Sequence, residues 1–296
     1  MVLAQCGPPW RSLGTSLEEV RVEGDRVVLC ANNGGAYPPP EHIEHACLSF
    51  DRKGIATPAM PSAPRPPRAF VEVFPDGGVS GCTTPTACTV LALGKPVPPT
   101  TLWDVNDDGT RVALALEDEA RVAVFDLSSG ARLQTIDPTA KGLTCVLGVH
   151  FVGPLIHAEA MECDGAKQKG WLFSGTSPRV EAPSWNSDPT LHSLSLDAQT
   201  RLVVTGNPSM VFKVELATGK AKKLTAVPPL DACTPMSCRA GKAPLFGIIP
   251  TGTISTDVTP AALTGDGGVV LVSASGFAVI DLTTGKSRVV DFPKCR

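Results

Sequence analysis

The sequence predicts an all-β fold assembled from repeated, four-stranded antiparallel units, and three observations predict it. A phrase returns three times: Val-Phe-Asp-Leu-Ser-Ser-Gly over Val124–Gly130, Lys-Val-Glu-Leu-Ala-Thr-Gly over Lys213–Gly219, and Val-Ile-Asp-Leu-Thr-Thr-Gly over Val279–Gly285. Each copy is an apolar strand running into a glycine turn. Upstream of each lies a second turn (Asp108-Gly109, Asp197-Ala198, Asp266-Gly267) that opens another apolar run, so the repeated object holds several strands. Helical periodicity is nearly absent. Internal repeats of this kind decide a fold class before any other signal does.

With the clear copies as a ruler, weaker ones emerge. The first unit takes Val20–Gly24, Arg26–Cys30 and Cys47–Gly54; the second takes Phe70–Gly77, Val79–Cys82 and Cys88–Lys95. The fourth, the most degraded, takes Cys145–Val152, Leu155–Cys163 and Gly170–Gly175. Six units result, starting near residues 17, 69, 101, 144, 190 and 257. Each reads as strand, tight turn, strand, loop, strand, glycine turn, strand. The Asp-Gly and Thr-Gly pairs fit two-residue hairpin turns, which need residues tolerant of positive φ.

Four short antiparallel strands per unit is the composition of a β-propeller blade, and residues 1–296 are expected to form a single propeller domain of six blades. A seventh, degenerate blade over 226–255 is the alternative count. The pattern of Asp-Gly, two apolar strands and Asp-Leu-Thr-Thr-Gly-Lys resembles bacterial β-propellers of the YVTN and WD40-like type. That resemblance lies in turns and core strands and implies a fold with no catalytic residue attached. No Trp-Asp dipeptide closes a blade in the WD40 manner; Trp103-Asp104 falls in an inner strand.

Composition narrows the function classes. The 296 residues are 43% hydrophobic, ample for a packed core, and the formal net charge of −3 comes from interspersed acids and bases. A nucleic-acid or anionic-membrane partner would call for clustered Lys and Arg, so neither is expected. No apolar run reaches the ~18–20 residues of a membrane helix, and membrane insertion is not expected. Ten cysteines, an even number with several short spacings, suggest disulfides made in an oxidising compartment, hence a secreted, periplasmic or cell-surface protein. The N-terminus Met-Val-Leu-Ala-Gln-Cys6 lacks a signal-peptide pattern, which is read as a leader already removed.

Sequence proximity pairs Cys30 with Cys47, Cys82 with Cys88, Cys145 with Cys163 and Cys233 with Cys238, each couple flanking one hairpin or short loop. Cys6 and Cys295 stand at the two ends. If the first unit begins with its inner strand and the sixth ends with its outer strand, no strand is borrowed across the seam, and a Cys6–Cys295 bond would supply the clasp.

Function is expected where the loops are long. Insertions fall at 31–46, 57–68, 164–169, 178–189 and 226–256, all on the loops between second and third strands or between units, while the other turns are minimal. Insertions gathered on one face of a repeat protein often mark the binding face. The densest polar cluster there is Tyr37-Pro-Pro-Pro-Glu41-His42-Ile-Glu44-His45. Prolines followed by Glu resemble a helix start, and one helical turn would set His42 beside His45 with Glu41 a turn below. Tyr37, Glu41, His42, His45 and the loop residue Trp185 form the expected binding set. With Cys30 and Cys47 nearby, zinc chelation is the competing use, though a disulfide is the plainer one for both sulfurs.

Asp104-Val-Asn106-Asp107-Asp108-Gly109 matches the start of a calcium loop, but the twelfth position is Ala115 and the ninth Val112, so the oxygen set is incomplete and an inner turn is the expected role. No Gly-x-Ser-x-Gly elbow, phosphate loop or dinucleotide fingerprint occurs, and no catalytic residue, metal or cofactor is assigned. His150 and His192 are the main polar exceptions on inner strands that otherwise read Val, Leu, Phe and Ser, and His157 falls in a strand as well. The expected function is a non-catalytic binding or assembly module for a protein or carbohydrate partner. The rival is a metal-dependent hydrolase or lactonase-like enzyme with three or more Glu, Asp, Asn or His side chains converging from inner strands on a central channel.

Overall fold

The computed structural model describes residues 16–32, 45–62, 68–116, 120–138, 145–162, 168–182, 191–205, 210–226, 261–272 and 276–291. Every regular element among them is a β-strand. Sheet A takes β1 (Ser16–Glu23), β2 (Arg26–Asn32), β3 (His45–Phe50) and β4 (Ala56–Ala59); sheet B takes β5 (Phe70–Val73), β6 (Val79–Thr84) and β7 (Ala87–Val90). Sheet C takes β8 (Trp103–Val105), β9 (Arg111–Leu116), β10 (Arg121–Asp126) and β11 (Arg132–Ile136). Sheet D takes β12 (Cys145–Val152), β13 (Leu155–Met161), β14 (Gln168–Ser174) and β15 (Ser177–Ala182). Sheet E takes β16 (His192–Asp197), β17 (Thr200–Thr205), β18 (Met210–Glu215) and β19 (Ala221–Ala226), and sheet F takes β20 (Ala261–Leu263), β21 (Gly268–Val272), β22 (Gly276–Asp281) and β23 (Ser287–Asp291). Every sheet is an up-and-down meander in chain order, the all-β blade arrangement read from the repeats.

Two compact units hold these sheets. One comprises Met1–Pro64, Asn207–Val211 and Leu224–Arg296; the other comprises Arg65–Gly206 and Phe212–Lys223. In the first, sheets A and F share a core of Val20, Val27, Leu29, Leu48, Phe50, Val270, Phe277 and Val290, with Phe50 and Phe277 edge to face at 5.9 Å. In the second, Val112, Leu114, Ala123 and Phe125 of sheet C pack on Val71, Val79, Leu91 and Val97. The opposite face of sheet C packs Ala113, Val122 and Val124 on Val149, Phe151, Ile156 and Ala158 of sheet D. The strict period of two along β9 and β10 feeds both interfaces, which is why these strands are buried on each face.

Four expectations are corrected. Sheet B has three strands, because after Val90 the chain leaves the ladder: Ala92 N donates to the Gly130 carbonyl and Val97 N to that of Gly77. Pro96, Pro98 and Pro99 have no N–H to offer a fourth strand, and Leu91, Leu93 and Val97 go into the core instead. The insertion placed at 57–68 begins later, since Ala56–Ala59 is a strand paired with Cys47–Phe50. The insertions at 31–46, 164–169 and 178–189 are likewise trimmed by β2 and β3, by β14 and by β15. Among the expected two-residue turns, Asp108-Gly109 and the Ser/Thr-Gly copies lie in four-residue connections. Asn106 N donates to the Arg111 carbonyl and Asp126 N to that of Ala131, with Gly130 at φ 70° completing the turn. The side chain of the repeated acid explains the length, since Asp126 Oδ1 accepts from Ser128 N and Ser129 N, and Asp281 Oδ1 from Thr283 N and Thr284 N. The degenerate blade over 226–255 lies outside the described residues beyond Ala226.

Candidate functional site

Of the five expected binding residues, Tyr37, Glu41, His42 and Trp185 lie outside the described residues. His45 is the first residue of β3, paired with Asn32 across the ladder, so the helical turn expected to stack it on His42 does not include it. Cys30 and Cys47 face each other directly in the β2–β3 register and are bonded, as are Cys82 and Cys88 in β6–β7. With its sulfurs joined, the Cys30–Cys47 pair offers no thiolate to zinc, which removes the expected chelation alternative at that position. Cys145 is also disulfide-bonded; Cys163, its expected partner, lies outside the described residues, as do Cys6, Cys233, Cys238 and Cys295. These cross-strand bonds point to an oxidising environment. Among the described residues no helix is long and apolar enough to cross a membrane.

A lock beside Cys30 holds the chain that follows β4. Arg21 donates from Nη1 to Glu19 Oε2 at 2.8 Å and from Nη2 to the Met60 carbonyl at 2.6 Å, while the Ser62 hydroxyl and amide donate to the same Glu19 carboxylate. The insertion entered at Met60 thus leaves sheet A from a fixed point.

The calcium-like sequence is a turn. Asn106, 6% exposed, accepts Thr110 N at 3.0 Å and Arg111 N at 2.8 Å on Oδ1, and Asp108 Oδ1 accepts Thr110 N and its hydroxyl. Asp107 ion-pairs with Arg201 of β17 at 2.6 Å. Asp104 reaches from β8 to β12, where its Oδ2 accepts Phe151 N at 2.6 Å while Oδ1 accepts Val105 N at 2.9 Å. The oxygens that a calcium loop would turn on a cation are directed at separate partners, and among the described residues no three His, Cys, Asp or Glu side chains come together as a metal site.

Asp104 nonetheless belongs to the most chemically unusual region of the second unit. It sits on the first strand of sheet C, His150 on the first strand of sheet D and His192 on the first strand of sheet E. The His150 Nδ1 lies 4.0 Å from Asp104 Oδ2. His157 faces His150 directly across β12–β13, and Glu159, two residues on and 2% exposed, shares its side of β13. Withdrawal from water pushes the Asp104 carboxyl up to about 7 despite its backbone donors, and a third of the side chain remains accessible. Burial, and then the neighbouring His192, pushes His150 down to about 4; burial and His150 push His157 well down. At neutral pH the His150 and His157 imidazoles are uncharged while Asp104 is partly protonated. His150 and His192 were legible as polar exceptions on inner strands. Asp104 and Glu159 were not, because the first read as part of a turn and the second as one acid in an apolar strand.

The first unit holds a cleft of about 310 Å³ at the short-turn end of sheets A and F, opposite the ends that carry the insertions of those sheets. Val22, Val27, Val270 and Phe277 floor it. Its rim alternates charge: Arg52 stands 3.9 Å from Asp266, both exposed, with Lys286 and Arg288 on the β23 side. Asp51 and Asp281 also line it, and both are held below the usual carboxylate range first by backbone donors, Ile55 for Asp51 and Thr284 for Asp281.

No family model and no curated protein matches the chain. Solved structures similar to it include the WD40 β-propeller domain of Doa1, at 11% identity and TM-score 0.40 over 75% of this chain. Streptogramin B lyase follows at 11% identity and TM-score 0.42, with 96% of this chain and 85% of that one covered. A putative 6-phosphogluconolactonase from Bacteroides uniformis stands at 15% identity and TM-score 0.33, with 69% and 68% covered. The chain spans 64% of the length of the Doa1 structure. The set contains a WD40 domain, a lyase and a putative lactonase, and does not separate a binding role from a catalytic one.

Proposed function

We propose that this protein is a non-catalytic binding or assembly module of an exported, oxidising setting, which engages a protein or carbohydrate partner through the insertions of its loop-rich strand ends. The observation that supports it most is how Asp104 is used. Both carboxylate oxygens of the best-placed acid accept backbone N–H groups, one from its own strand and one from the next sheet, so the group ties sheets together. The disulfides and the Glu19–Arg21–Ser62 lock serve the same reading, since they brace the roots of the first two insertions against rigid strands.

The competing hydrolase reading has one observation in its favour, a partly protonated Asp104 4.0 Å from an uncharged imidazole, which is the makings of an acid–base pair. One experiment separates the two. The parent, Tyr37→Ala, Trp185→Ala and Asp104→Asn proteins are presented to a glycan array and to an extract of secreted proteins, and assayed against lactones and esters with and without EDTA. Binding that is lost in the Tyr37 or Trp185 variants and retained in Asp104→Asn supports the module. Turnover that disappears in Asp104→Asn or with EDTA overturns it.

A further inference from the structure

We propose that the Asp104–Gly109 segment, the end of β8 with the turn that follows it, is an acid-responsive clasp: it joins sheet C to sheets D and E, and it stays closed only while the facing imidazoles of His150 and His157 carry no charge. Two bridges leave this segment side by side. Asp104 takes the Phe151 amide of β12 at 2.6 Å, and Asp107 takes Arg201 of β17 at 2.6 Å. The first bridge ends on β12 beside His150, and the Arg201 of the second lies against Gly153 in the turn that joins β12 to β13. His150 and His157 are directly opposed in the β12–β13 register, a spacing at which like charges repel strongly, and His157 is fully buried.

Among the described residues, titratable and charged groups near this pair come from three sheets. Sheet C and the segment before β5 contribute Asp104, Asp107, Arg111, whose guanidinium lies 5.8 Å over the Phe151 ring, and Arg68, which acts on Asp104. Glu159 comes from β13, and His192 and Arg201 come from sheet E. Asp104, the carboxylate beside His150, is itself protonated as the pH falls through about 7, which leaves the single buried carboxylate of Glu159 on β13 to face two imidazoles. Acid therefore puts two cations opposite one another with little water between them. The strand that yields is β12, because it carries His150 and its Phe151 amide is hydrogen-bonded to Asp104 of sheet C.

The chain has five histidines, so side-chain titration by NMR of histidine-labelled protein is tractable. Hydrogen exchange of the Phe151 amide is read alongside it, with the Val270 amide of the other unit as internal reference. We expect His150 to stay neutral until about pH 4 and the Phe151 amide to lose about tenfold of its protection once both imidazoles have taken up a proton, while Val270 keeps its own. His157→Gln removes one of the opposed charges and should abolish most of that loss. Ordinary titration of His150 and His157 near the free imidazole value, about 6.5, overturns the clasp, as does loss of protection at Phe151 and Val270 together. Should His157→Gln fail to fold, the titration and exchange of the parent protein decide alone.

Discussion

Gly130 and Gly285 occupy the same place in two copies of one repeated phrase, with φ of 70° and 71°, yet replacing each by Ala should have very different results. Alanine in a left-handed conformation costs ~1–2 kcal/mol at either position. At Gly285 a Cβ would lie 3.3 Å from the Leu224 carbonyl oxygen, a contact relieved by a few tenths of an ångström. At Gly130 it would lie 2.1 Å from the Val90 carbonyl oxygen and 3.1 Å from Thr89 Cγ2, so the turn must withdraw from β7. Withdrawal breaks the 2.9 Å bond from Ala92 N to the Gly130 carbonyl and the 3.3 Å bond from the Thr89 hydroxyl to that of Ser128. Each is worth ~0.5–1.5 kcal/mol, and the overpacking adds ~1–3 kcal/mol. Gly285→Ala should therefore cost about 1–2 kcal/mol and Gly130→Ala about 3–8 kcal/mol in urea unfolding at neutral pH, with a Tm loss for Gly130→Ala of roughly 10 °C or more. Two variants equal within about 0.5 kcal/mol would refute the close approach of the turn to β7.

Further outcomes are expected. Opening Cys30–Cys47 should cost about 3 kcal/mol and Cys82–Cys88 about 2 kcal/mol, in the order of their sequence separations of 17 and 6, read from the melting of Cys→Ser pairs; the reverse order would contradict the loop-entropy account. Asn106→Ala leaves the Thr110 and Arg111 amides without their acceptor and should cost about 1–3 kcal/mol, whereas Asn106→Asp, which keeps the acceptor, should cost less; equal losses would argue against the side-chain cap. The pH dependence follows from opposed shifts. Raised Asp104 contributes stability that is full below its ordinary value and is lost as pH rises through about 7, while depressed His150 and His157 contribute stability present above about 6.5 and lost as pH falls. Between about pH 4 and 6.5 the Asp104 and His150 effects offset one another, leaving the acid slope to His157. Asp104→Asn should flatten the alkaline decline and steepen the acid one by about one proton, measured as the pH slope of unfolding free energy; an unchanged slope would remove Asp104 from the titration.

Much of the architecture is carried by near neighbours in the chain, which is why it was legible in the residues. An antiparallel meander pairs each strand with the next, so apolar alternation and the recurrent Asp-Leu-x-x-Gly turn locate the hairpins, and cysteines flanking one of them, such as Cys82 and Cys88, fall opposite each other in register. What tertiary structure decided depends on which sheet lies against which. Nothing local distinguishes Gly130 from Gly285; the difference is the β7 backbone packed against one of them. Nothing local sends Leu91–Val97 into the core in place of a fourth strand beyond the prolines that disfavour a ladder. Asp104 reads as turn chemistry until β12, far along the chain, brings the Phe151 amide and His150 to it and withdraws its carboxylate from water. Turn geometry is set by the residues in the turn, but a pKa is set by the charges and the solvent around the group, and those come from strands that sequence order keeps apart.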